Sequence, residues 1–224
     1  IPGDDIVVAD GWYGNGGREG SGLWHRVYID KPIRVASVNG PAATTIMGDM
    51  SGWNTTRCVY VGSGALLSGF TVSYGSSRME YPVEPDPFEP WQPYFPTWTG
   101  SGGGVLCDPS GVVSNCILSN NRGTWGGGMS GGTLLDSQVR NNYAYAEGGG
   151  LRECAAWRCV IADNVTSNTG GGTAGVQLWD SEVTGNRAFH SGGGMYVGTA
   201  YDTVVANNVA EGSDAWGGGA MYAN

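Results

Sequence analysis

The sequence predicts an all-β chain, a single right-handed parallel β-helix over residues 1–224 with about eight rungs of about 22 residues each. A fixed period is the first reason. Gly-Gly-Gly triplets begin at 126, 148, 170, 192 and 217, at spacings of 22, 22, 22 and 25, and a sixth begins at 102, 24 residues before the first of these. Repeats of this length bury their apolar face only against their neighbours. The second reason is register: counted from the first triplet glycine, residue types coincide from one repeat to the next. The third is that no 3.6-residue periodicity survives across the triplets, so helices are not expected.

Each part of the repeat has its own cause. The triplet marks a corner, where positive φ or close backbone approach excludes side chains. Nine residues on stand Trp157, Trp179 and Tyr201, and ten on stand Asp136, Arg158, Asp180 and Asp202. Eleven on are Ser137, Cys159, Ser181 and Thr203; thirteen on are Val139, Ile161, Val183 and Val205. Eleven and thirteen share strand parity and point inward, so ten, twelve and fourteen face solvent, with Gln138, Arg140, Glu182 and Thr184 among them. Sixteen on come Asn142, Asn164, Asn186 and Asn208, joined by Asn121 once a three-residue insertion near 108–111 is set aside. These five asparagines read as a turn ladder. Asn tolerates left-handed backbone, and its amide reaches the same Asn on the next rung, about 4.8 Å away.

Composition narrows the classes. Glycine is abundant, 41 of 224, but 40% apolar residues with nine Trp and eleven Tyr are enough to build a packed core. No apolar run is long enough to span a membrane. A net charge of −9 argues against a nucleic-acid partner, which wants a basic face.

Gly-Gly-Gly-Met at 126–129 and 192–195 and Gly-Gly-Gly-Leu at 148–151 resemble the Gly-Gly-Ala-aliphatic motif of polymorphic membrane protein autotransporters. Val139-Arg-Asn-Asn142, Ile161-Ala-Asp-Asn164 and Val183-Thr-Gly-Asn186 resemble that family's Phe-x-x-Asn motif, with Val or Ile in place of Phe. The substitution points to the wider group of secreted right-handed parallel β-helix repeat proteins. The segments beginning at Gly3, Asp30, Ser37 and Ser68 are similar to that group's first rungs. The resemblance implies an extracellular or cell-surface protein, with a structural or adhesive role or, alternatively, a polysaccharide lyase or glycoside hydrolase activity. It spans nearly the whole chain except residues 76–101.

Candidate chemistry is sparse. Asp180 and Glu182 are the best paired carboxylates for glycoside hydrolysis, and Arg158 between Asp136 and Asp180 is the candidate base or neutraliser of a lyase, with calcium as the possible metal. The plainer reading of that column is a surface ladder that avoids stacking like charges. Trp157 and Trp179, with Tyr201, form either a sugar-binding platform or a stiffening corner stack. His25 and His190 read as loop residues. The segment 76–101 carries six prolines and the aromatics Tyr81, Phe88, Trp91, Tyr94, Phe95 and Trp98. Proline keeps it extended and outside the sheet, so it reads as an inserted binding arm or as an arm packed on its own coil or on a neighbour.

Cys107 with Cys116, and Cys154 with Cys159, are expected as two disulfides within rungs, leaving Cys58, as suits an oxidising compartment; buried free thiols are the alternative reading. Asn54 and Asn164 begin glycosylation sequons. The expected partners are further copies stacked end to end, other surface proteins, or carbohydrate. The first and last rungs read as uncapped, each with an open strand edge, so the chain is expected either to be a piece of a longer solenoid or to stack end to end.

Overall fold

Strands one repeat apart lie side by side, because the column register sets apolar residue over apolar residue. The computed structural model describes residues 3–20, 22–50, 55–77, 99–212, 218–219 and 221–222. It is all-β, with almost no helix, and the strands join into three long sheets in a solenoid-like arrangement. Every strand pair is parallel except Arg18–Gly20, which runs antiparallel to Leu23–Ile29. Among the described residues no helix is long and apolar enough to cross a membrane.

The eight-stranded sheet shows the logic most plainly. It runs from Gly11–Tyr13 through Thr44–Met47, Thr71–Ser73, Ile117–Ser119, Gln138–Arg140, Val160–Ala162 and Glu182–Thr184 to Val204–Ala206. Its inward column is Ile46, Val72, Leu118, Val139, Ile161 and Val183, each at most 2% exposed. A 15-stranded sheet supplies two more inward columns: Val35, Leu67, Val113, Leu134, Ala156 and Leu178, and then Val59, Val105, Met129, Leu151, Thr173 and Met195. The five-stranded sheet, Arg122–Trp125 to Val209–Ala210, has Gly123, Ala144, Thr166 and Ala188 in the corresponding positions. Only small residues fit there, because the triplets press against the same strands. A Cβ added at Gly127 would lie 2.4 Å from both Tyr143 O and Gly149 O. That corner is backbone packed on backbone, which is what the glycines are for.

The insertion at 108–111 is visible in the pairing. Val105 pairs with Met129, 24 residues on, and Val112 with Thr133, 21 residues on. The loop between closes with Gly111 N donating to Asp108 O.

Column ten is a corner rather than an outward strand position. Asp136, Arg158, Asp180 and Asp202 all have φ between 46° and 51°. Left-handed backbone suits Asp far better than a residue with a longer aliphatic stem, which accounts for the aspartates without invoking chemistry. A second left-handed column, Asn141, Asp163, Gly185 and Asn207, lies one residue before the asparagine ladder. The turn therefore takes its positive φ there, and the ladder asparagines are free to point inward.

Candidate functional site

The asparagine ladder is the best-defined polar feature. Asn121, Asn142, Asn164 and Asn186 are at most 1% exposed. From Asn142 onward each Oδ1 accepts twice from the preceding asparagine of the ladder, once from its backbone N and once from its Nδ2: Asn164 Oδ1 takes both from Asn142 at 3.0 Å, whereas Asn121 Oδ1 accepts from Gly75 N at 2.9 Å. Each Nδ2 also donates to a strand carbonyl, Asn164 to Val139 O at 2.9 Å and Asn186 to Ile161 O at 2.9 Å. Asn208 continues the series, half-buried. All four hydrogen-bonding positions of each inner amide are used within the fold. Asn164 is fully buried, so its sequon is closed to glycosylation in the folded chain; Asn54 lies outside the described residues.

The charged column is at the surface. Arg158 grips Asp136 through Nε at 2.6 Å and Nη2 at 3.0 Å, and this hydrogen bonding holds the Asp136 carboxyl below its ordinary range. The same contact pushes Arg158 up, so it stays a cation. A guanidinium held as a cation is not a base. Asp180 occupies the left-handed corner, and Glu182 opens the following strand. They therefore do not project from one strand as a carboxylate pair. Both are exposed.

The aromatics do stack. Trp157 and Trp179 lie 4.2 Å apart at 3°, and Trp179 and Tyr201 5.6 Å apart at 17°. Leu135 pairs below Trp157 in the same column. Both faces of Trp179 are thus covered by its neighbours, while Tyr201 at the end of the stack is 52% exposed. Pyranose rings dock on faces, so Trp179 stiffens the corner and offers no platform face. Tyr81, Phe88, Trp91, Tyr94, Phe95 and Trp98 lie outside the described residues; the segment's base is closed by Ser77 Oγ donating to Gly100 O at 2.6 Å.

The cysteines are not bridged. Cys58, Cys107, Cys116, Cys154 and Cys159 are all free and buried. Cys116 and Cys159 sit in equivalent corners and turn their thiols to the carbonyls two residues back, Ser114 O at 3.2 Å and Trp157 O at 3.1 Å. Burial pushes Cys58 and Cys107 up to about 12 and Cys116 and Cys159 to about 11, so none is a ready nucleophile. Among the described residues no three His, Cys, Asp or Glu side chains come together to hold a metal.

Sequence reasoning missed one cluster. His25 lies on a strand, not in a loop, and is fully buried beside Arg57, itself 0% exposed. Arg57 donates to Gly102 O at 2.8 Å and Ser101 O at 2.7 Å, tying the returning end of the 76–101 segment to the core. His25 Nε2 lies 2.9 Å from Gly20 O and Nδ1 has no partner. Burial, then Arg57, lowers its pKa to about 4, so it is neutral. Both residues fall in the first half, where no period marks which positions face inward; His190, by contrast, is an exposed loop residue as expected.

The chain matches no known family model, and neither a curated protein nor a solved structure matches it significantly.

Proposed function

We propose that the chain is a right-handed parallel β-helix of about eight rungs, non-catalytic, extracellular or at the cell surface, with a structural or adhesive role. The observation that carries this reading is the rung-to-rung use of its polar residues. The ladder amides satisfy one another, Arg158 pairs with Asp136, and Trp157 and Tyr201 cover the faces of Trp179. The ladder asparagines, Arg158 and Trp179 are engaged in holding rung to rung, while Asp180 and Glu182 stay exposed. The surface location rests on the family resemblance alone, since free thiols remove the disulfide argument.

End-to-end association of copies belongs to the same proposal. An apolar cavity of about 280 Å³, lined by Ile6, Val8, Val27, Ile33, Val35 and Phe70 among others, opens beside the strands Asp5–Val8 and Gly11–Tyr13. Among the described residues each of those ends its sheet, and Val7 and Trp12 are 66% and 78% exposed. Apolar area beside an unpaired edge favours strand pairing with another copy.

The test is incubation with a panel of neutral and uronate polysaccharides, reading retention, reducing ends and unsaturated products together. Retention on a matrix without product supports the reading. Product formation that is lost in Asp180→Asn or Glu182→Gln would replace it with a polysaccharide lyase or hydrolase. Sedimentation over a concentration series tests the association, which Val7→Asp should abolish.

A further inference from the structure

The repeat leaves one guanidinium over on the five-stranded sheet. Arg187 pairs with Glu211 and Arg152 with Glu147 and Glu153, but Arg122 makes no ion pair among the described residues. Its Cζ lies 4.6 Å from the Tyr145 ring centroid and 5.4 Å from that of Tyr143. The two rings meet edge to face, 4.9 Å apart at 88°, and the Tyr143 hydroxyl shares a hydrogen bond with Ser167 Oγ. Arg122 is exposed and both tyrosines are half-buried.

The repeat pattern breaks to make this corner. One rung later Val165 and Ser167 stand where Tyr143 and Tyr145 do, and Arg122–Trp125 pairs with Tyr143–Glu147 across an irregular register. Such irregularities re-aim side chains. The rings hold the guanidinium from one side and leave its donor fork for a planar anion. The strand edge next to it is closed: Ser76 bridges Arg122, Ser101 bridges Trp125, and Ser77 N donates to Arg122 O at 3.0 Å. A peptide would find no backbone to pair with there. A sugar acid brings a carboxylate for the fork and hydroxyls for Tyr143 and Ser167.

We propose that Arg122, Tyr143, Tyr145 and Ser167 form a binding site for a uronic acid residue of an acidic polysaccharide. The site rests on the adhesive reading above and names its ligand. Arg122 takes the carboxylate bidentately, and the tyrosine corner receives the ring. The net charge of −9 opposes a long polyanion, so the test uses short oligomers at physiological salt.

Isothermal titration and NMR with tetragalacturonate, its methyl ester and tetraglutamate decide the matter. Tetragalacturonate should bind and shift the Arg122 Nε–H and Tyr145 ring signals. The methyl ester, Arg122→Ala and Arg122→Lys should each weaken binding by about tenfold or more, with the thermal midpoint unchanged. Arg158→Ala should leave it as it is. Undiminished binding by Arg122→Ala, no shift at Arg122, or equal binding of tetraglutamate at these residues would overturn the site. Polysaccharide retention that survives Arg122→Ala sinks this site while leaving the adhesive reading standing; loss of all retention in the intact protein sinks that reading as well.

Discussion

Replacing Asn164 with Ala removes the central member of the ladder, and its cost follows from the bonds it makes. Its Oδ1 is the acceptor for Asn142 N and Nδ2, and its Nδ2 donates to Val139 O at 2.9 Å and Asn186 Oδ1 at 3.0 Å. Water does not reach the site, so the truncated ladder strands the Asn142 N–H and the Val139 carbonyl contact. At about 1–3 kcal/mol for each stranded group, Asn164→Ala should destabilise the fold by about 3–5 kcal/mol. Asn164→Asp should cost at least as much, because it keeps the shape but sets a carboxylate oxygen against Val139 O and Asn186 Oδ1. Asn208→Ala should cost only about 1 kcal/mol, since Asn208 is half-buried and water replaces its bonds. Urea unfolding followed by far-UV circular dichroism measures all three. A loss of under about 1 kcal/mol for Asn164→Ala, or one equal to that for Asn208→Ala, would refute the ladder as a source of stability.

Three further outcomes follow from other parts of the fold. Gly127→Ala should cost about 3 kcal/mol or more, because its Cβ would meet backbone oxygens at 2.4 Å, whereas Gly40→Ala, with open space around it, should cost only about 1–2 for its left-handed φ; thermal midpoints of the two variants check this. His25 is neutral in the fold with a pKa of about 4 against an unfolded value of 6.5, so the unfolded chain binds the extra proton between those values. Its contribution is complete above pH 6.5 and is lost as pH falls towards 4, by about 3 kcal/mol, and His25→Gln should flatten that part of the stability–pH curve. All five cysteines should be silent to a thiol reagent in the folded protein and should all react in denaturant; fewer than five would restore the disulfides.

What the sequence makes legible is what repeats. Val139, Ile161 and Val183 identify themselves as core because each stands over the next, and the asparagine column predicts its own ladder. Corners are harder to read. Asp136 and Asp180 at column ten look like an outward strand position until the backbone places them at φ near 50°. Cysteine spacing likewise says how close two residues lie along the chain, and not that Cys116 and Cys159 turn their thiols to local carbonyls. Arg57 and His25 left no pattern, since a single buried cation held by carbonyls has no spacing to recognise. Arg122 carried a weak signal: the tyrosines at 143 and 145 depart from the residues one rung later, and departures from a period are where a solenoid's binding surface is to be sought.

The side-chain amide protons of Asn121, Asn142, Asn164 and Asn186 test the central claim most directly, that polar residues here hold rung to rung. Each Nδ2 donates to an Asn Oδ1 of the next rung and to a strand carbonyl. Hydrogen exchange followed by NMR should find all four amides protected and exchanging together, only as the chain unfolds globally. Exchange at the rate of exposed Asn amides, or protection that differs site by site with no relation to global stability, would contradict it.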